Sequence, residues 1–276
     1  MKNHLFCFGL GYVAKELKTR LTSSFKVSGT HTTGKNLNDN EYLFNNENVF
    51  NTSLLEDVTH ILISIPPNED GDLVYLKLLE HIKKLKNLLW IGYLSSTSVY
   101  GDHQGNWVQE NSKLNPNDYL GKNRIIAENQ WLKSELPINI LRLSGIYGKS
   151  RSTFDSIKSN RAIRIHKENH YFSRIYIKDL VSMIIKIMSF PKIGEIYNIS
   201  DNTPSPNHEV VSFAYKLLNQ SPPPLINIED ANLSEMMQHY YNSSKKVYNR
   251  KFKQDYNFEL EFPSYKEGLT DIFKSI

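Results

Sequence analysis

The stretch Leu5-Phe6-Cys7-Phe8-Gly9-Leu10-Gly11-Tyr12-Val13-Ala14 decides the fold. Four apolar residues run into a glycine turn, and Val13 to Leu21 follows with helical spacing. A strand, then Gly-x-Gly-x-x-Ala, then a helix is the arrangement that pyrophosphate binding needs. Gly9 permits a turn that a side chain blocks. Gly11 lets the backbone approach phosphates closely, and Ala14 keeps the helix near the strand. The unbonded N–H groups at the start of a helix then favour an anion. The turn therefore predicts a bound dinucleotide, NAD or NADP, with Gly9, Leu10, Gly11, Tyr12 and Val13 around it.

Reading outward, Phe25 to Thr30 is the next strand. Its end lies about 20 residues after the glycine turn, where an acidic side chain holds the ribose hydroxyls of NAD. Thr30, His31 and Thr32 stand there instead, with Thr33 and Lys35 following, and no carboxylate is present. Hydroxyls and a cation suit a 2′-phosphate better, so NADP is expected, with NAD left open. Thr59 to Ile65 is a buried-strand run stopped by Pro66-Pro67. Ser64, near its end, joins the expected cofactor contacts.

Further along, Leu73 to Leu85 reads as helix and Leu88 to Leu94 as strand. Ile125 to Leu132 reads as helix, Ile138 to Leu143 as strand, Asp179 to Met188 as helix and Glu195 to Ile199 as strand. Buried strands alternating with amphipathic helices predict an α/β fold, a doubly wound parallel sheet of Rossmann type covered on both faces. The asparagine-rich stretch 36–51 carries little signal. From Ser200 onward prolines cluster and helical stretches shorten. The expected organisation is a dinucleotide-binding domain over 1–149, its sheet completed by about 175–200. A small C-terminal substrate lobe over 150–174 and 201–276 accompanies it.

Composition narrows the classes. The chain has 276 residues, 39% hydrophobic and 22% charged, ordinary for a globular protein. Its net charge of +4 is interspersed, which argues against a nucleic-acid surface. Cys7 is the single cysteine, so no intrachain disulfide forms, and a reducing compartment is permitted. The apolar start is interrupted by two glycines and lacks a cleavage site, so it is not read as a secretory signal. No other stretch has the length of a membrane span. The expectation is a cytoplasmic protein with no membrane or nucleic-acid partner. Its nine histidines show no ligand spacing, and no metal is expected.

Later segments carry a resemblance. They are Tyr93-Leu94-Ser95-Ser96-Thr97-Ser98-Val99-Tyr100-Gly101-Asp102, Arg142-Leu143-Ser144-Gly145-Ile146-Tyr147-Gly148 and Phe172-Ser173-Arg174-Ile175-Tyr176-Ile177-Lys178-Asp179-Leu180. Ile196-Tyr197-Asn198-Ile199-Ser200-Asp201 and Tyr265-Lys266-Glu267-Gly268-Leu269 follow in order. With the glycine turn, they make the chain resemble the extended short-chain dehydrogenase/reductases, the NAD-dependent epimerase/dehydratase family, and most closely its atypical bacterial branch.

The resemblance implies an NAD(P)-dependent oxidoreductase acting on a small carbonyl or hydroxyl substrate, with nucleotide sugars in view, and it is compatible with a homodimer. It implies a serine after the fifth strand, matched by Ser96, and a Tyr-x-x-x-Lys pair on the next helix. There the tyrosine exchanges a proton with the substrate oxygen, and the lysine lowers the tyrosine pKa. That pair is not matched. The register anchored on Glu128 places Leu120 at the tyrosine and Arg124 at the lysine. Arg124 can hold ribose hydroxyls and is expected on the cofactor, but it does not release its proton.

Tyr119, one position off, and Lys122 are the candidate substitutes, useful only if the helix begins at Tyr119. Arg174 and Trp107 are candidate substrate contacts, each with a structural alternative. Tyr100 and Tyr147 are expected mainly to pack, and Asp179 to cap a helix starting at Leu180. Two functions stay open: an enzyme, or an NADP(H)-binding sensor or structural subunit with a degenerate site.

Overall fold

The computed structural model describes residues 2–21, 24–35 and 37–276, apart from the side chains of Glu235, Met236 and His239. Asn36, the first residue of the asparagine-rich stretch, lies outside the described residues. The chain divides into two compact units. The first comprises 1–99, 118–142 and 181–197, and the second 100–117, 143–180 and 198–276.

The first unit carries β1 (Asn3–Phe8), α1 (Tyr12–Leu21), β2 (Phe25–His31), β3 (Glu41–Leu43), β4 (His60–Ile63), α2 (Leu73–Ile82), β5 (Trp90–Ser96), α3 (Tyr119–Leu132) and β7 (Ile138–Leu143). Three elements have residues in both units: β7, whose last residue Leu143 falls in the second, α5 (Ile177–Ser189) and β11 (Ile196–Ile199). The sheet order is β11-β7-β5-β4-β1-β2-β3, parallel and doubly wound.

Alternation explains why these runs are strands covered on both faces. Phe6, Phe8, Ile61, Ile63, Ile91, Tyr93, Ile138 and Ile140 fall in one core cluster. Their neighbours Leu5, Cys7, Leu62 and Leu141 are equally buried. Phe44 and Phe50, just beyond β3, seal the first face, with the Phe8 and Phe44 rings 5.1 Å apart.

The expected elements are present, with ends shifted by a few residues, and three findings differ from the reading above. The asparagine-rich stretch contains β3, a three-residue edge strand too short to show a period. The helix expected from Ile125 begins six residues earlier, at Tyr119, because Asp118 caps it by accepting the Gly121 N–H at 2.7 Å. Asp179 does not cap a helix at Leu180. It sits within the first turn of α5, and its carboxylate accepts the N–H groups of Glu261 (3.0 Å) and Phe262 (2.9 Å).

At the amino end of the sheet, His4 is buried. Its Nδ1 meets Asp57 at 2.8 Å and its Nε2 meets Ser28 Oγ at 2.9 Å. Burial lowers the imidazole pKa below its ordinary 6.5, and the bond to Asp57 only partly opposes this. The unfolded chain therefore takes up the proton first, so stability present at neutral pH is lost as the pH falls below 6.5. Urea unfolding at about pH 7 and about pH 5 should show that loss, and a shallower one in His4→Gln.

The second unit carries β6 (Trp107–Val108), β8 (Gly145–Tyr147), α4 (Thr153–Lys158), β9 (Arg164–His166), β10 (Arg174–Tyr176), α6 (Asn207–Leu217), β12 (Leu225–Asn227), α7 (Glu235–Tyr241), β13 (Lys246–Val247), α8 (Arg250–Tyr256) and α9 (Tyr265–Phe273). Its strands pair in twos, β8 with β10, β9 with β12 and β6 with β13, all parallel. Among the described residues no helix is long and apolar enough to cross a membrane.

Candidate functional site

The chain winds outward from β1 through β2 to β3, then returns to place β4 on the other side of β1. In such sheets ligands gather beyond the carboxyl ends of the strands where the winding reverses. The Gly9–Gly11 turn occupies that position. Gly9 has φ +95°, and a Cβ there would lie 2.6 Å from Ser64 Oγ. Ser64 Oγ donates to the Gly9 carbonyl at 2.7 Å. The Gly9 N–H donates to Thr30 Oγ1 at 3.0 Å, and the Leu10 N–H to the Thr30 carbonyl at 2.8 Å. At Gly11 the situation reverses: a Cβ would meet nothing within 4 Å, so the space above the turn is open. Tyr12 begins α1, with Val13 and Ala14 buried against the sheet. The turn is thus braced from below and bare above, and it fits the pyrophosphate of a dinucleotide.

The residues expected at the ribose divide. Thr30 is buried and braces the turn, whereas Thr32 is exposed. His31 ends β2, and its Nε2 lies 3.1 Å from Glu41 Oε2. Glu41 also accepts from Lys18 Nζ (3.2 Å), Asn38 N (3.4 Å) and Asn38 Nδ2 (3.2 Å). Burial pushes the Glu41 carboxyl up, but these donors outweigh it and bring the pKa below the usual value. The sequence reading missed Glu41, because its place beside β2 depends on the unreadable edge strand β3.

At the carboxyl end of β5, three successive residues are held in different ways. Arg124 Nη1 donates to the Leu94 carbonyl at 3.1 Å. Ser95 Oγ donates to Glu128 Oε1 at 2.5 Å, and Glu128 pairs with Arg142 at 2.7 Å, all three buried. Ser96 Oγ is half-buried and accepts the Ser98 N–H at 3.1 Å, keeping its own proton to donate. Arg124 and Glu128 stand one turn apart on α3 and so fix its distance from Ser96.

Tyr119 is the first residue of α3 and 70% exposed; Leu120 follows at 44%. Lys122 is exposed, and no hydrogen bond joins it to Tyr119 among the described residues.

In the second unit, Trp107 is 40% exposed and stacks on Tyr248 at 4.2 Å, with Lys246 Nζ over it at 5.6 Å. Arg174 Nη1 donates to the carbonyls of Phe172 (2.9 Å) and Ser205 (3.0 Å). Tyr100 and Tyr147 are buried, their phenols donating to Asn198 Oδ1 (2.7 Å) and the Ser264 carbonyl (3.3 Å). Cys7 is buried on β1, and burial pushes its thiol up to about 12, which leaves it unreactive. Among the described residues no group of three or more His, Cys, Asp or Glu gathers as metal ligands.

No family model matches the chain. A solved structure from Silicibacter pomeroyi, described as a functionally unknown conserved protein, is 32% identical, with 99% of each chain covered and a TM-score of 0.92. Protein YeeZ of Escherichia coli K12 is 29% identical over 196 residues, 66% of this chain and 68% of its own. The UDP-glucuronic acid 4-epimerase of Bacillus cereus, solved with NAD, is 18% identical, with a TM-score of 0.77 over 99% of each chain. The chain belongs to the same family as the Silicibacter pomeroyi protein, and its fold is that of the extended short-chain dehydrogenase/reductases, the NAD-dependent epimerase/dehydratase group.

Proposed function

We propose that the protein is an NADP-dependent oxidoreductase of epimerase/dehydratase type acting on a nucleotide sugar. The observation that carries this reading is Ser96, a half-buried hydroxyl with a proton to give. It lies at the carboxyl end of β5, in the same unit and at the same sheet edge as the open glycine turn. The Bacillus cereus epimerase, named for UDP-glucuronic acid and solved with NAD, supports the substrate and cofactor classes.

A dinucleotide held there would supply the hydride acceptor and donor. The bare backbone at Gly11 and the start of α1 would take the pyrophosphate, with Gly9 and Leu10 spending their own N–H groups on Thr30, and Ser64 and Thr30 keeping the turn in shape. His31 and Thr32 would meet the adenosine ribose, and Arg124, which fixes the end of β5 through the Leu94 carbonyl, would offer its remaining donors to cofactor hydroxyls. Ser96 donates to the substrate oxygen. Leu120 exchanges no proton and Arg124 keeps its own, so the proton passes through Tyr119, with Lys122 supplying nearby positive charge.

Incubation with NADP or NADPH and a panel of UDP- and dTDP-sugars tests the assignment by product analysis. Ser96→Ala and Tyr119→Phe should each lower kcat by about 10²-fold or more. Leu120 at the tyrosine register favours a second reading, a dinucleotide-binding protein without turnover. Tight NADPH binding with no product from any sugar, and no effect of either substitution, would decide for it.

A further inference from the structure

We propose that Lys77 is a positioning residue for the adenosine end of the cofactor, clamping the asparagine-rich turn 45–48 against the backbone that follows β2. This rests on the dinucleotide reading above and adds to it what keeps the adenosine side of the site in shape.

The turn first builds itself. The Asn45 N–H donates to Asn48 Oδ1 at 2.8 Å, and Asn45 Oδ1 accepts the N–H groups of Glu47 and Asn48, each at 3.0 Å. Asn48 Nδ2 ties the turn back to the Leu43 carbonyl at the end of β3, at 2.9 Å. Asparagine suits these places because its short amide both accepts from and donates to nearby main chain. The main-chain carbonyls of Asn45, Asn46 and Asn48 then converge on one point. Lys77 Nζ, carried by α2, occupies that point and donates to them at 2.9, 2.6 and 3.3 Å. An ammonium has three protons and no acceptor, so three carbonyls satisfy it completely. Three oxygens gathered so closely repel one another unless a cation lies between them. Lysine, a compact charge on a long stem, fills that place from a neighbouring helix.

The clamp reaches the site through Asn45. Its Nδ2 donates to the Thr32 carbonyl at 3.1 Å, and the Phe44 N–H donates to the His31 carbonyl at 2.9 Å. The backbone just past β2 is thus held from the side of the turn, where the adenosine ribose of a Rossmann-bound dinucleotide arrives. Phe44 and Phe50 anchor the two ends of the segment in the core, so the residues between them are the part that Lys77 fixes. Lys77 acts by keeping Asn45 on Thr32 rather than by touching the cofactor.

Fluorescence titration of the whole protein tests this, with NADPH or NADH, whichever binds the wild type more tightly. The matching adenosine fragment, 2′,5′-ADP or AMP, is then used to displace it. Lys77→Ala should raise the Kd of dinucleotide and fragment alike by about tenfold, because the loss sits in the half they share. Asn45→Ala should do the same, and the double variant should lose no more than either alone, because both act through one contact. Ethylammonium chloride, whose cation fits the vacated carbonyls, should restore part of the affinity of Lys77→Ala and none of that of Asn45→Ala. Tetramethylammonium chloride, which has no N–H to donate, should restore neither. A lysine that merely stabilised α2 would show neither the non-additivity nor the rescue. Thermal melting checks that each variant is folded; if Lys77→Ala is not, Lys77→Gln is read in its place for the Kd and the double variant. Wild-type affinity in the Lys77 variant, additive losses in the double variant, or no rescue by ethylammonium would overturn the proposal while dinucleotide binding stands. Failure of both nucleotides to bind the wild type would overturn both readings together.

Discussion

Arg142→Met is expected to lower the unfolding free energy by about 3–5 kcal/mol. Arg142 and Glu128 are each 3% exposed, and the arginine reaches both carboxylate oxygens, with Nε at 3.1 and 3.2 Å and Nη2 at 2.7 Å. Removing the cation leaves a carboxylate in the core whose remaining hydrogen-bond partner, among the described residues, is the Ser95 hydroxyl. With the site this deeply buried the bared carboxylate is poorly solvated, so the penalty is large. Glu128→Leu combined with Arg142→Met should recover much of the loss, because an apolar pair of similar volume avoids burying charge at all. Urea unfolding of the single and double variants measures both effects. A double variant as unstable as Arg142→Met alone would contradict this account of the pair. The pair also ties β5, α3 and β7 together one residue before Ser96, so the recovered double variant should fold and yet hold Ser96 less firmly.

Gly11→Asp should weaken NADPH binding by more than about 100-fold while leaving the melting temperature nearly unchanged. The protein tolerates the new side chain because nothing lies within 4 Å of its Cβ. The ligand does not: the side chain fills the space the phosphates need and sets a negative charge against them. Two like charges about 4 Å apart repel by about 4 kcal/mol near a protein surface, more than the stated loss requires. Gly9→Ala behaves differently. Its φ of +95° and the 2.6 Å approach to Ser64 Oγ make that substitution destabilising to the turn itself. Fluorescence titration with thermal melting separates the two glycines. Unchanged NADPH affinity in Gly11→Asp would show that no phosphate rests there.

How much of this was legible from residues alone depended on the range of the forces involved. The strands β1, β4, β5 and β7 announce themselves because a doubly covered parallel strand is apolar at most of its positions, on both faces. The glycine turn announces itself because its geometry admits few residue types. The start of α3 was hidden: Tyr119 and Leu120 are exposed, and the helix there is set by the Asp118 cap rather than by an apolar stripe. Asp118 itself was the readable signal. Edge strand β3 was hidden too, since three half-buried residues carry no period, and with it the approach of Glu41 to His31. Asp179 misled because an acidic residue at a helix start usually serves its own helix. Here the N–H groups of Glu261 and Phe262, more than 80 residues on in the chain, claim it. Side chains that act on their own neighbourhood can be read; partners brought together by the tertiary fold cannot.

Crystals grown with NADP would test the dinucleotide assignment most directly. The expected result is pyrophosphate oxygens within about 3 Å of main-chain nitrogens at Gly11 and Tyr12, with the adenosine end beside His31. A nucleotide bound elsewhere on the chain, or none at saturating concentration, would contradict it.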